Sequence, residues 1–167
     1  PREFRPLIGN LVFGCDLCQD VCPVNRKAQP AQIPALRERR VGAAMDLLPL
    51  LDLTEEEFRE RFRGTAIMRA KREGLQRNAC VVLGNLGDPA AVPALAQALR
   101  KGAALVRGHA AWALGRLGGP QAGQALQEAL GHEEDPWVRE EIAQALEELS
   151  RGDLTRQAGR AKVFSVE

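Results

Sequence analysis

The chain has 167 residues, with 23 Lys or Arg against 22 Asp or Glu, and its formal net charge of +1 gives no overall attraction to a polyanion. Aromatic residues make up 4% and Tyr is absent, which disfavours an all-β core and favours helices. No apolar run approaches the roughly 20 residues of a membrane span and no signal peptide is recognisable, so we expect a cytoplasmic protein without membrane contact. Composition separates a cysteine-rich loop (1–30), a basic connector (31–74), a repetitive Ala/Leu-rich region (75–152) and a short tail (153–167).

The first of these regions, residues 1–30, carries a cysteine motif. The stretch GCDLCQDVCPVN places Cys15, Cys18 and Cys22 in the pattern C-x2-C-x3-C-P, the end of the bacterial ferredoxin signature with one cysteine missing. Thiolates suit iron–sulfur clusters, and in two-cluster ferredoxins the last cysteine of such a run binds the other cluster. We therefore predict the C-terminal half of a ferredoxin-type module with two [4Fe-4S] clusters, in which these three thiols complete neither cluster alone.

A zinc site is the alternative, because C-x2-C is also a zinc half-site. The sequence offers no second C-x2-C and no closely spaced His pair, since His109 and His132 fall inside the repetitive region. A disulfide is disfavoured in a cytosolic chain. Cys80 lies in RNACVVLGNLG among small residues, and we expect it to be a buried packing residue rather than a ligand.

The connector is predicted to contain a capped helix followed by a basic segment. In DLTEEEFRERF, Thr54 is the expected N-cap with Glu57 at the capping-box position, and Phe58 and Phe62 share one face. From residue 59 to 77 there are seven basic residues against two acidic ones, a local surplus that favours phosphate contact. Gly64-Thr65 would interrupt the helix and offer N–H and hydroxyl donors to a phosphate.

Basic residues in this region are candidates for contact with an RNA backbone. The alternative is a solvated helix face on which Arg and Glu pair at i, i+4. The candidate set for RNA binding is Arg63, Thr65, Arg69, Lys71, Arg72, Arg77 and Arg107.

The third zone is built from a repeat. LGNLGDPAAVPALAQAL (83–99) reappears as LGRLGGPQAGQALQEAL (114–130) at an offset of 31, and a half copy begins at Val138. Gly followed by Pro between two amphipathic stretches is typical of a tight turn joining two helices. Such hairpins must stack to bury their apolar faces. We predict an all-α fold, a HEAT-like α-α solenoid of short helical hairpins preceded by the cysteine loop, with Trp112 and Trp137 packed between units rather than stacking on RNA bases.

Three pieces in order carry a family resemblance: FRPLIGNLVFGCDLCQDVCPVNRKA, then LTEEEFRERFRGTAIMRAKREGLQRNACVVLGNLGD, then the Pro-punctuated repeats. Together they resemble the C-terminal half of the epoxyqueuosine reductase family. Members of that family are cobalamin-dependent iron–sulfur oxidoreductases that reduce epoxyqueuosine to queuosine at the wobble position of certain tRNAs. Electrons reach the corrin through two [4Fe-4S] clusters.

The resemblance implies roles for this chain. Cys22 would bind the cluster built mainly by an upstream cysteine run, and Cys15 and Cys18 would bind the second cluster together with upstream cysteines. Cobalamin and the acid catalyst would lie upstream of Pro1, so no catalytic or cobalamin-binding residue is nominated, and the chain alone should be inactive. The expected partner is the anticodon stem-loop region of tRNA, bound by a monomer. The alternative function is a HEAT-like protein-interaction module fused to another ferredoxin-type electron-transfer protein.

Overall fold

A computed structural model describes residues 1–29, 32–34 and 45–150. Within these residues the fold is all-α, without strands, and none of the helices is long and apolar enough to cross a membrane. The predicted tail and residues 35–44 of the connector lie outside the described residues. The α-helices are α1 (Leu17–Asp20), α2 (Glu55–Phe62), α3 (Lys71–Leu86), α4 (Val92–Lys101), α5 (Ala104–Leu117), α6 (Pro120–His132) and α7 (Pro136–Ser150). Short 3-10 helices cover Arg2–Phe4, Pro6–Ile8, Asn25–Lys27, Pro49–Asp52, Ala66–Ala70 and Pro89–Ala91.

Helix α2 begins with the predicted capping box. The Thr54 hydroxyl accepts from the Glu57 N–H at 3.2 Å, and the Glu57 carboxylate accepts from the Thr54 N–H at 2.8 Å. Phe58 and Phe62 are both buried, with ring centroids 5.2 Å apart. The cap satisfies two N–H groups that the first turn would otherwise leave free, while the aromatic pair ties α2 to the core.

The predicted hairpins are present. Helix α3 ends at Gly87, whose φ of 71° is the left-handed conformation that glycine adopts without a Cβ clash. The Asp88 carboxylate then accepts from the Ala90 N–H at 2.9 Å, and Pro89 opens the 3-10 turn into α4. The second unit also turns at glycine and proline, with α5 ending at Leu117, Gly118 and Gly119 at positive φ and α6 starting at Pro120, but within these described residues it has no side-chain cap and no 3-10 turn. Helix α3 begins at Lys71, four residues before the predicted start of the repeats at residue 75, and that boundary stays a prediction.

The repeats form two layers, with α3, α5 and α7 side by side in one and α4 and α6 in the other. Two glycines at equivalent positions allow the close approach within the first layer. A Cβ on Gly84 would lie 2.9 Å from the Trp112 ring, and one on Gly115 would lie 2.8 Å from the Ala145 Cβ. Both distances are shorter than carbon–carbon contact, so these helices pack closely because the side chain is missing.

The packing roles predicted for Cys80 and Trp112 agree with the structure, whereas Trp137 is only partly packed, with its ring against Gly108 of α5. Cys80 is fully buried, and burial raises the pKa of its thiol to about 12, which keeps it protonated and unreactive. Trp112 is 3% exposed and belongs to the core. Trp137 is 37% exposed, with its ring 5.6 Å from the imidazole of His109 on the neighbouring helix α5.

Candidate functional site

We restrict the name cysteine loop to residues 13–25, a turn that exposes two of its three thiols. Cys15 and Cys18 are exposed and Cys22 is half-buried. Asp16 adopts the left-handed conformation with φ 48°. The Asn25 side-chain amide donates to the Gln19 carbonyl at 3.1 Å and to the Gln19 side-chain oxygen at 2.8 Å. Asn25 therefore closes the loop across its base and leaves the thiols accessible from outside.

The three thiols do not form a metal site by themselves. Among the described residues, no three His, Cys, Asp or Glu side chains converge in a way that could hold a metal ion. The donor atoms on this loop are soft sulfurs, which suit iron–sulfur clusters and zinc and are poor ligands for magnesium or calcium. The loop thus fits a thiolate-bound metal centre whose other ligands come from elsewhere.

Residues 1–12, which lead into this loop, are held against the first layer of the repeats by two asparagines. The Asn78 side-chain amide donates to the Val12 carbonyl at 2.9 Å. The Asn85 amide, two turns further along α3, donates to the carbonyls of Arg5 and Gly9, both at 2.9 Å. The Arg5 and Gly9 carbonyls flank the Pro6–Ile8 3-10 helix and the Val12 carbonyl follows it, so these side-chain donors bond to backbone groups outside any regular α-helix.

Ionic contacts hold the same segment to α7. The guanidinium of Arg5 donates to both carboxylate oxygens of Glu141, at 2.8 and 2.5 Å, and each of the two residues is only 6% exposed. Arg2 also donates to Glu141 and reaches Glu148 at 2.7 Å. The Arg5 guanidinium lies over the Trp112 ring at 5.6 Å. We name the surface formed by Asn78, Asn85, Trp112 and Glu141 the docking face.

Sequence reasoning did not find the docking face. A signal was nevertheless present, since Asn78 and Asn85 are seven residues apart on one helix face and Glu141 falls between the apolar positions Val138 and Ile142 of α7. A carboxylate on the apolar side of a helix is rare without a partner. The partner lies 136 residues away in sequence, and no local pattern identifies it.

The candidate basic residues fall into two groups, those without an ion-pair partner among the described residues and those that contact other side chains of the protein. Arg63, Arg69 and Lys71 are exposed and have no ion-pair partner among the described residues. Lys71 has a φ of 58°, a conformation that is unusual and strained for a residue with a side chain. The alternative prediction of an i, i+4 pair also has one example, the 3.0 Å contact between Arg59 and Glu55.

The predicted turn at Gly64-Thr65 is present, but its donors are used internally. Gly64 has a φ of 74°. The N–H of Thr65 donates to the Phe62 carbonyl at 3.0 Å and the Thr65 hydroxyl donates to the same oxygen at 2.8 Å. The expectation that both groups face a phosphate is therefore not met in this arrangement. Arg72 is likewise engaged, with Glu55 at 3.4 Å and the Gln76 side chain at 3.0 Å.

Arg107 lies in a structural ion pair. Its guanidinium donates to both oxygens of Glu133 at 2.7 and 2.6 Å and to the Gly102 carbonyl at 3.1 Å. The hydrogen bond from Arg107 is the main cause that lowers the pKa of the Glu133 carboxyl. Because its donors bond to the residue that ends α6 and to the turn before α5, Arg107 is a weaker candidate for a phosphate than the exposed arginines.

Arg77 has a different position, at the edge of a groove between residues 1–8 and the repeats. The groove has a volume of about 480 Å³ and is also lined by His109 and Trp137. The Arg77 Nε is buried without a hydrogen-bond partner among the described residues. Arg77 therefore carries a positive charge that no acidic side chain in the described part of the chain neutralises by direct contact.

Comparison with known proteins confirms the resemblance. A model of HEAT repeats matches residues 64–147. Epoxyqueuosine reductase of Bacillus subtilis (strain 168) is 35% identical over 158 residues, which are 94% of this chain and 41% of that protein. An uncharacterized protein in the gldA 3′ region of Geobacillus stearothermophilus is 37% identical over 151 residues, 89% of this chain and 69% of that protein.

Solved structures agree with the sequence comparison. The structure of epoxyqueuosine reductase with an epoxyqueuosine-modified tRNA-Tyr stem loop superposes with a TM-score of 0.82 at 35% identity, over 90% of this chain and 40% of that one. The chain thus spans less than half the length of the epoxyqueuosine reductases that it matches. The chain belongs to the HEAT-repeat family and is homologous to the C-terminal part of epoxyqueuosine reductase.

Proposed function

We propose that this chain is the C-terminal part of an oxidoreductase that reduces epoxyqueuosine to queuosine in tRNA. In this proposal it supplies cluster ligands and part of the tRNA-binding surface. The observation that carries the proposal is the match to epoxyqueuosine reductase over 94% of the chain, cysteine loop and repeats together. A match to the repeats alone would support only a general HEAT-like module, because such repeats serve many functions.

The cysteine loop is proposed to hold parts of two [4Fe-4S] clusters. Cys22 would bind one cluster and Cys15 and Cys18 the other, with the remaining ligands from upstream cysteines. Iron–sulfur clusters, when bound, pass single electrons. The contribution of this chain is to present two exposed thiols and a half-buried one on a loop closed by the Asn25 amide. Cobalamin and the acid catalyst are proposed to lie in the upstream part of the enzyme.

The basic segment is proposed to bind the phosphate backbone of the tRNA anticodon stem-loop. Arg63, Arg69 and Lys71 are the best candidates, because they are exposed and unpaired among the described residues and phosphate affinity scales with such free charge. The relative with the tRNA-Tyr stem loop supports this partner class. Among the other candidates, Arg77 has no ion-pair partner among the described residues, whereas Thr65 and Arg107 use their donors within the protein. Arg72 contacts Glu55 and Gln76, although its Nε has no hydrogen-bond partner among the described residues. We further propose that the chain works as a monomer in the cytoplasm.

Charge reversal tests the RNA proposal. Arg63→Glu with Arg69→Glu is compared with Arg100→Glu and Lys101→Glu, an exposed basic pair at the end of α4 that makes the same change in net charge. Binding of a tRNA stem-loop oligonucleotide is measured over a salt series. We expect the first variant to lower the slope of log affinity against log salt by about 2, one for each lost phosphate contact. Equal slopes in both variants would favour the alternative of a protein-interaction module.

A further inference from the structure

Residues 1–12 are held mainly by polar contacts, and of their apolar side chains only Val12 is partly buried against the core. Phe4 is 54% exposed and Leu7 is 79% exposed, whereas Arg5 is 6% exposed. A segment that docked through hydrophobic collapse would bury the phenylalanine and leucine and leave the arginine in water. The structure shows the opposite, with Arg5 buried and Phe4 and Leu7 exposed. The docking face therefore binds this segment through its charged side chains and its backbone carbonyl groups.

The buried ion pair at the centre of this contact specifies a position more than it adds stability. Transfer of Arg5 and Glu141 out of water carries a large desolvation cost, and well-packed apolar residues in their place are often as stable. A bidentate pair, in contrast, satisfies both oxygens only in a narrow range of coplanar geometries. The Trp112 ring beside the Arg5 guanidinium further restricts that geometry.

The contact nearest to the cysteines sets how far the loop can move. Val12 is held by Asn78 and lies three residues before Cys15. A chain of three residues reaches at most about 11 Å. Without this contact, the next fixed carbonyl is that of Gly9, six residues before Cys15, and the reach doubles to about 22 Å. Asn78 therefore restricts Cys15 to a small volume.

We propose that Glu141, Asn85 and Asn78 are positioning residues, through which the repeats recognise residues 1–12 and fix the location of the cysteine loop. The repeats then have a second role besides nucleic-acid contact, because three helices from different units, α3, α5 and α7, contribute to one docking face. The role concerns the location of the loop and depends on neither bound iron nor RNA.

Distance measurement between two spin labels tests this role on the metal-free full chain. One nitroxide is attached to Cys15 in a Cys18→Ser, Cys22→Ser background, and the other to Gln127→Cys on the exposed side of α6. Cys80 stays unlabelled because it is fully buried. We expect a single narrow distance distribution in this parent, and a distribution about two-fold wider when Asn78→Ala is added, in line with the doubled reach. Glu141→Gln should broaden it further only when it is added to Asn78→Ala and Asn85→Ala, because otherwise Val12 or Gly9 stays held nearer to Cys15 than Arg5 is.

The control is Glu140→Gln in the same background, which changes an exposed neighbour of Glu141 whose carboxylate bonds, among the described residues, only to Gln144, and it should not broaden the distribution further. A second test adds Arg5→Ala to the Asn78→Ala, Asn85→Ala variant, which should broaden the distribution as Glu141→Gln does, because both changes remove the same contact. Asn78 is half-buried and outside the ion pair, so its variant stays informative if Glu141→Gln disturbs folding. An unchanged distribution in folded Asn78→Ala, or no further broadening when Arg5→Ala is added to Asn78→Ala and Asn85→Ala, would overturn the proposal.

Discussion

Arg5 and Glu141, which are 136 positions apart in the sequence, form a bidentate ion pair that joins the first and last helical segments of the described chain. Both side chains are almost completely buried, and Arg2 adds a second guanidinium to the same carboxylate. A solenoid is otherwise held by contacts between neighbouring units. This pair is therefore a long-range closure that links the third unit to the segment before the cysteine loop.

Replacing one partner of this pair should lower the free energy of unfolding more than replacing both partners. Glu141→Leu leaves the Arg5 guanidinium buried without a counter-charge, and we expect a loss of about 3 kcal/mol in the free energy of unfolding. The loss should not exceed about 3 kcal/mol by much, because residues 1–12 can detach from the docking face and return Arg5 to water. Arg5→Met combined with Glu141→Leu should recover most of it, because two apolar side chains can pack in the vacated space. Urea unfolding compares the parent, the two single variants and the double variant, and an additive loss in the double variant would contradict the expectation.

Two glycines in repeat helices should respond oppositely to the same substitution. Gly115→Ala places a Cβ 2.8 Å from the Ala145 Cβ, and we expect this overpacking to destabilise the chain by about 1–3 kcal/mol. Gly131→Ala is the matched control, because a Cβ there meets nothing within 4 Å. Alanine should stabilise α6 at that position by about 0.5–1 kcal/mol through its higher helix propensity. Thermal unfolding of the two variants checks the opposite signs.

The repeats and their turns were predictable from the sequence because their determinants are local. The offset of 31 identified the units, Gly87 and Pro89 the turn, and the Thr54 capping box the start of α2. The docking face was not predictable, since Arg5 and Glu141 are brought together only by the stacking of three units. The engagement of Arg107 was missed for the same reason, because its partner Glu133 is 26 residues away.

Substitution of Arg107 should affect stability, whereas substitution of Arg63 should affect RNA affinity. Arg107→Gln removes charged hydrogen bonds to Glu133, and we expect a loss of about 1–3 kcal/mol in unfolding free energy with little change in stem-loop affinity. Arg63→Gln should lower the affinity without a change in stability, because Arg63 is exposed and has no partner among the described residues. Urea unfolding and stem-loop binding are measured for both variants. A loss of stem-loop affinity in folded Arg107→Gln would show that Arg107 contributes to RNA binding.

Stability should fall in mild acid because of His109. Burial is the main cause that lowers the pKa of its imidazole from 6.5 to about 4, Arg5 and Arg77 lower it further, and the Leu105 carbonyl and Glu141 oppose the shift. The unfolded chain therefore takes up this proton at higher pH than the folded chain. The stabilising contribution is complete above pH 6.5 and is lost as the pH falls towards 4, by up to about 1.4 kcal/mol for each pH unit.

His109→Gln should remove that slope from a series of urea unfolding curves, because glutamine does not titrate. The control is His132→Gln, at an exposed position at the end of α6, which should leave the slope unchanged. A slope that persists in His109→Gln would assign the acid sensitivity to other groups.

Iron content should distinguish two shared clusters from one zinc site. In a protein that also carries the upstream cysteines required by the proposal, two [4Fe-4S] clusters amount to about eight iron atoms per chain. Cys22→Ser removes a ligand from one cluster and Cys15→Ser from the other, so each variant should lose about half of the iron, and the double variant nearly all of it. Cys80→Ser is the control, since this thiol is buried in the repeats and should leave the iron content unchanged. A single zinc bound by all three thiols would instead be lost to the same extent in Cys15→Ser, Cys18→Ser and Cys22→Ser, and the double variant would add nothing.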